Sequence, residues 1–230
     1  MPARSRARDA PLRVNGVIRP YVPADEGALH TLAADTAYYG APVEHMMEDR
    51  RVFIHAFVRP YTAHHAHTCW VAEADGEVVG YLTGCMDTRA QQAALRRAAA
   101  GVMARALALR YRLGPKAVRT GVAFVRHALA GGEPAIDLDA YPAHLHINVA
   151  AAYRGRGLGQ GLMRAFIDQC RRAGLPGIHL TTSERNTAAV FLYQKLGFCE
   201  LARYPSRFHS GVSRRPVMGL IFGLALRGEG

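Results

Sequence analysis

Hydrophobic and polar positions change their period several times along this chain, and each change marks an element. Gly16 to Tyr21 (GVIRPY) is a short β-prone run closed by proline, which predicts a first strand. Pro23-Ala24-Asp25 then opens a helix, with Asp25 as its cap and Leu29, Leu32 and Ala33 at helical spacing. Ala37 to Arg51, with Gly40, Pro42 and several acids, predicts a loop and a second helix before the apolar stretch Val52 to Val58. Thr68 to Glu73 and Val78 to Cys85 are β-branched and aromatic runs on either side of Asp75-Gly76. Such a turn needs φ > 0 at its centre, so the pair predicts an antiparallel hairpin.

Beyond the hairpin the period lengthens. Leu95, Ala99, Val102, Ala106, Leu109 and Leu113 recur at steps of four and three, the mark of one helical face. Gly114 ends that helix and Pro115 starts another, with Val118, Val122, Val125 and Leu129 as its apolar stripe. The stripes of this pair are expected to pack on the same domain. A polar loop, Gly131 to Asp139, leads to His144–Val149, which alternates with Leu145, Ile147 and Val149 on one face. Leu158, Leu162, Met163, Phe166 and Ile167 give a helix to about Ala173, capped by Gly174. A strand at Ile178 to Thr182, a helix from Asn186 to Leu196 stopped by Gly197, and strands at Phe198 to Tyr204 and Val217 to Leu224 complete the order. This order predicts one α/β or α+β domain around a central mixed sheet, residues 15–230, with a helical insertion at about 88–132. A basic tail, residues 1–14, precedes it.

Composition narrows the class. The chain has 230 residues, 50% of them hydrophobic, enough for one substantial core. No apolar run approaches the ~18 residues of a membrane span, and the N-terminus lacks the apolar stretch of a secretory signal. A soluble, cytoplasmic protein is expected. Four cysteines lie far apart inside apolar stretches without a CxxC pair, so they are expected to be buried, reduced and inert. His64, His65 and His67 have no nearby thiol or carboxylate, and no metal site is expected. The net charge of +11 speeds encounter with anionic partners, a phosphorylated cofactor as much as a nucleic acid. Arg89 to Arg126 holds nine Arg or Lys and no acid, a surface for an acidic protein, a nucleic acid or a second subunit of a homodimer. A zinc finger and an aromatic RNP strand are both missing, so nucleic acid is not expected as the partner.

The most informative segment runs from Val149 to Gly161 (VAAAYRGRGLGQG), a strand followed by a glycine-dense turn that enters an amphipathic helix. Amides at such a helix start face outward with the positive end of the dipole behind them. Gly155, Gly157 and Gly159 let an anion approach the main chain, and Arg154 and Arg156 add charge, so a phosphate or pyrophosphate is the expected guest. The nucleotide P-loop is excluded because Gly159 is followed by Gln160-Gly161, without Lys and a hydroxyl. The dinucleotide fingerprint fails on glycine spacing and on the missing acid about 20 residues later.

Arg154-x-x-Gly157-x-Gly159 resembles the R/Q-x-x-G-x-G/A loop of the GNAT superfamily of N-acetyltransferases. About thirty residues later, Asn186-x-x-Ala189-x-x-Leu192-Tyr193-x-x-Leu196-Gly197-Phe198 resembles that family's second signature, and Val79-Gly80-Tyr81 ends the hairpin where it usually stands. The segment Tyr141 to Ile147 is similar, more narrowly, to the acetyltransferase-like domains associated with O-GlcNAcase. The resemblance implies a mostly antiparallel sheet that splays between its fourth and fifth strands, His144–Val149 and Ile178–Thr182, with acetyl-CoA as co-substrate. Carried over position by position, it implies that backbone near Ile147 and Val149 meets the pantetheine arm. Arg154, Gly155, Arg156, Gly157, Leu158, Gly159 and Gln160 would hold the pyrophosphate, and Asn186 the cofactor arm. Tyr193 would protonate the leaving thiolate as general acid. The family's glutamate base would fall near Ala143, so that role does not carry over. His144 and His146 share a strand face, and His146 is the candidate base. Tyr38, Tyr39, Glu44, His45, Glu48 and Asp49 are candidates to shape the acceptor pocket. Two functions stay open: transfer of an acetyl group to a primary amine by direct attack, or a non-catalytic CoA-binding module.

Overall fold

The computed structural model describes residues 16–206, 208 and 215–226, so the basic tail lies outside the described residues. Among the described residues, seven strands form one sheet: β1 Val17–Pro20, β2 Trp70–Ala74, β3 Glu77–Cys85, β4 Ala143–Val149, β5 Gly177–Ser183, β6 Cys199–Pro205 and β7 Met218–Ala225. Their spatial order is β1-β2-β3-β4-β5-β7-β6. Neighbours are antiparallel except β4 and β5, which run parallel. The hairpin forms as the pattern predicts, with φ of +54° at Asp75 and +80° at Gly76.

Helices cover both faces. α1 Glu26–Thr36 and an irregular helical stretch lie on one side; that stretch is α2 Arg50–Phe53, a π-turn at Ile54–Val58, and α3 Arg59–His64. There Leu29, Ala33, Val58 and Tyr61 meet Val71, Tyr81 and Cys85 of the sheet. On the other side α6 Leu158–Arg172 and α7 Thr187–Lys195 bury Leu162, Met163, Phe166 and Tyr193 against Leu82, Leu145, Ile178, Leu180 and Phe222. The close seat of α6 requires glycine at Gly84, where a Cβ would stand 2.4 Å from the Phe166 ring. This mixed sheet between helical layers is the α/β architecture read from the sequence.

The insertion differs from expectation in two ways. α4 spans Thr88–Leu107 and stops there, because Leu109 takes φ of +54° and residues 108–114 leave the helical path. The apolar steps through Leu109 and Leu113 continued numerically but not structurally. α5 Pro115–Leu129 does form, yet its stripe does not pack on the domain: Val118, Val122, Val125 and Leu129 are exposed, the last at 84%. The helix docks by its other side, where Ala123 is buried and Thr120 Oγ1 donates to Met46 C=O.

Candidate functional site

The central strands separate almost as soon as they meet. β4 and β5 pair only at Ala143↔Ile178 and His144↔His179. β4 stays paired to β3 as far as Gly80↔Val149, and β5 to β7 as far as Ser183↔Gly219. Beyond His144 and His179 the facing edges therefore diverge into a V-shaped opening in the middle of the sheet.

The glycine loop lies at the end of β4. A 3-10 turn at Ala151–Tyr153 leads to Gly155 at φ +74° and Gly157 at φ +86°, a left-handed path that glycine follows without strain. A Cβ at either position would meet nothing within 4 Å, so the loop stands in open space. The α6 ladder begins with Gly161 N–H donating to Gly157 C=O at 2.9 Å, and the amides of Leu158, Gly159 and Gln160 precede it. Leu158 itself is buried and anchors this mouth in the core, while Gln160 is half-buried. Ile147 and Val149 pack beneath against the same core. Arg154 turns back: its Nε donates to Val149 C=O at 2.9 Å, and its guanidinium lies against Gly40. Arg156 stacks over the Tyr153 ring at 5.4 Å. A diphosphate fits the open amides and the positive helix end, and both arginines border that mouth.

Asn186 precedes α7, and its side-chain amide makes no capping bond. Tyr193 is buried between Phe198 and Phe222, each ring centroid 6.0 Å away. Its phenol has no hydrogen-bond partner among the described residues, and burial raises its pKa, so it keeps its proton at ordinary pH.

Tyr193 and His146 occupy opposite faces of the sheet. His144, His146 and Asn148 form the polar row of β4 that faces α1 and α3. There Tyr61 hydroxyl meets His144 Nε2 at 2.5 Å and His146 Nε2 at 3.1 Å. Asn148 donates to the Tyr81 hydroxyl at 3.0 Å. Desolvation by surrounding protein, with a smaller contribution from His179, pushes His146 down to about 4. Solvent still reaches its exposed ring and tempers that shift. The imidazole is neutral at pH 7 and able to accept a proton. Ala143 is fully buried, so the place of the family glutamate holds no substitute base.

The acids proposed for the acceptor pocket are largely committed elsewhere. Glu48 accepts the amides of Gly114, Lys116 and Ala117 at 2.8–3.1 Å and so seats α5. Asp49 binds Arg51 and the Arg112 amide, which hold it below the usual carboxylate range, and Glu44 pairs with Arg50 at 2.7 Å. Cys69, Cys85 and Cys170 are buried thiols pushed up to about 12 by desolvation, but Cys199 is exposed, against expectation. Tyr61 and Thr88, both central to the histidine row, carried no local signal in the sequence.

The model of the acetyltransferase (GNAT) family matches residues 28–198, and the chain belongs to that family. Mycothiol acetyltransferase of Renibacterium salmoninarum is 42% identical over 69 residues, 28% of this chain and 20% of its own length. N-acetyltransferase family 8 member 7 of Mus musculus is 29% identical over 86 residues, 37% of this chain and 38% of its own. The chain thus spans well under half the length of these curated relatives. Among solved structures, SsHAT is 30% identical with a TM-score of 0.70, covering 92% of this chain and 98% of that one. YncA, a putative acetyltransferase from Salmonella typhimurium solved with acetyl-CoA, shares the fold at 19% identity and a TM-score of 0.56, over 94% and 96% of the chains. The narrower likeness to O-GlcNAcase-associated domains finds no support in these relatives.

Proposed function

We propose that this protein transfers an acetyl group from acetyl-CoA to a primary amine by direct attack, within a single domain over residues 15–230. The observation that carries the reading is the divergence of β4 from β5 directly beside the open amides of Leu158, Gly159 and Gln160. A long cofactor arm can enter the split while its diphosphate rests on the helix mouth. Backbone near Ile147 and Val149 lines the split on one side. Arg154, Gly155, Arg156, Gly157 and Gly159 shape the anion end, and Asn186 offers an uncommitted amide to the arm.

Acetyl-CoA supplies the thioester carbonyl that the amine attacks. The chain's own groups then manage protons and charge. His146 accepts the proton that the amine must lose. Unpaired strand amides along the split stabilise growing negative charge on oxygen. Tyr193, with its proton retained by burial, donates O–H to the departing sulfur. Among the described residues, no helix is long and apolar enough to cross a membrane.

The test is release of free thiol from acetyl-CoA with a panel of primary amines, alongside calorimetric binding of CoA. Transfer with some amine supports the reading. Binding without transfer to any amine favours a non-catalytic CoA-binding module, and no binding removes both.

A further inference from the structure

The polar row of β4 forms a hydrogen-bond chain whose direction follows from counting protons. Thr88 Oγ1 lies 2.7 Å from Pro142 C=O; a carbonyl only accepts, so the single hydroxyl proton is spent there. Thr88 Oγ1 therefore accepts at its other contact, 2.9 Å from His144 Nδ1, which makes Nδ1 the protonated nitrogen. Cys85 Sγ, 3.0 Å from the same nitrogen, is a second, weak acceptor of that N–H. Burial holds His144 neutral, helped by His146 and His179, so its Nε2 carries a lone pair and accepts from Tyr61 O–H. Tyr61 has no second proton to give. The 3.1 Å contact with His146 must run the other way, with His146 Nε2–H donating to the Tyr61 oxygen. A neutral imidazole protonated at Nε2 has its only lone pair at Nδ1.

We propose that Tyr61, His144 and Thr88 are positioning residues that hold His146 as the Nε2–H tautomer, so that His146 Nδ1 is the atom that takes the acceptor's proton. The inference deepens the proposed function and rests on its reading of His146 as base. In the step, an N–H bond of the amine breaks with its electron pair left on nitrogen, and the proton bonds to His146 Nδ1. The imidazolium keeps Nε2–H on Tyr61, now as a charge-assisted bond. Titratable groups around this row are Tyr61 from α3, His65 just past its end, Cys85 from β3 with Asp87 beyond it, His144 from β4, and His179 from β5 with Glu133 near it. These two carboxylates act on His65, Cys85 and His179 and not on His146, so Tyr61 is the acceptor that favours the charged His146 ring.

Long-range proton–nitrogen correlation spectra of the imidazoles in the full chain read the tautomers without any substrate. The expected result is His146 as Nε2–H and His144 as Nδ1–H; His146 as Nδ1–H overturns the proposal. Thr88→Val removes the terminal acceptor at constant shape, frees His144 to change tautomer, and is expected to convert His146 at least partly to Nδ1–H. Tyr61→Phe is expected to lower kcat by roughly tenfold or more with KM for acetyl-CoA unchanged. It also moves the acid limb of the kcat/KM profile to lower pH, because the imidazolium loses its acceptor. Thr88→Ser restores the hydroxyl and the wild-type profile. A packing role alone would lower Tm and leave the limb in place; an unmoved limb in folded Tyr61→Phe, together with unchanged tautomers in Thr88→Val, refutes the chain. Absence of transfer to any amine removes the proposed function instead, and the tautomer spectra still decide the arrangement.

Discussion

Two glycines four residues apart at the start of α6 do different work, and alanine at each separates them. Gly157 has φ of +86° and ψ of −8°, and a Cβ there meets nothing within 4 Å. Gly157→Ala therefore carries left-handed backbone strain of ~1–2 kcal/mol, present with or without cofactor. It also stands a methyl group at the mouth formed by the amides of Leu158, Gly159 and Gln160. Loss of one hydrogen bond to a charged oxygen costs about 1.5–3 kcal/mol, equivalent to a CoA Kd roughly ten- to a hundredfold weaker. Gly161 sits within the helix, where a Cβ would lie 2.8 Å from Ile18 Cγ1. Gly161→Ala overpacks α6 against β1, at about 1–3 kcal/mol, and leaves the mouth alone. Urea unfolding and calorimetric titration with CoA should show stability and affinity both reduced in Gly157→Ala, and stability alone reduced in Gly161→Ala. Wild-type affinity in Gly157→Ala, or an affinity loss confined to Gly161→Ala, refutes the placement of the diphosphate.

Tyr193→Phe keeps the packing against Phe198 and Phe222 but removes the proton donor, so kcat should fall by about 10²-fold or more with CoA affinity unchanged; equal turnover in a thiol-release assay excludes the acid role. His144, His146 and His179 all have lowered pKa values in the folded protein, so below pH 6.5 the unfolded chain binds more protons. Stability is then highest above that pH and falls as the pH drops toward about 4, the folded value of His146. Urea midpoints at pH 7 and pH 5 check this, and equal midpoints contradict the lowered values of these histidines. Leu129→Lys and Val122→Lys alter side chains that are 84% and 52% exposed, and should shift unfolding by less than about 0.5 kcal/mol. A larger loss would mean that the α5 stripe packs on the domain after all.

Features written in short windows of sequence were legible. The Asp75-Gly76 turn, the alternation of β4 and the glycine loop each encode their geometry within a dozen residues, through backbone freedom or side-chain period. Periodicity was less informative for the insertion. It shows which side chains share a face of α5, but not whether another element is present to cover them. The carboxylate that seats this helix, Glu48, is 66 residues from its first amide partner, Gly114. Read locally, Glu48 and Asp49 looked like a cationic acceptor's pocket; in the fold their charge answers α5, Arg51 and Arg112. Tyr61 shows the same limit, because its partners His144 and His146 lie 83 and 85 residues further on. Only topology, by laying α3 across β4, makes that tyrosine part of a protonic chain.

β4 connects the two halves of the proposed chemistry through its period of two. Leu145, Ile147 and Val149 turn toward α6 and fix the glycine mouth relative to the strand. His144, His146 and Asn148 turn the other way, toward Tyr61 and Tyr81. A slip of one residue against β3 would exchange the rows, send both histidines into the apolar core, and expose the leucine and isoleucine in their place. The register from Gly80↔Val149 to Cys85↔His144 prevents this, and the contact of Phe166 with Gly84 holds α6 to the same register. The pairing that folds the sheet thereby also sets His146, the proposed base, on one face and the proposed cofactor mouth with Tyr193 on the other. The amine and the departing sulfur can then exchange protons with separate groups, without either group crossing the strand.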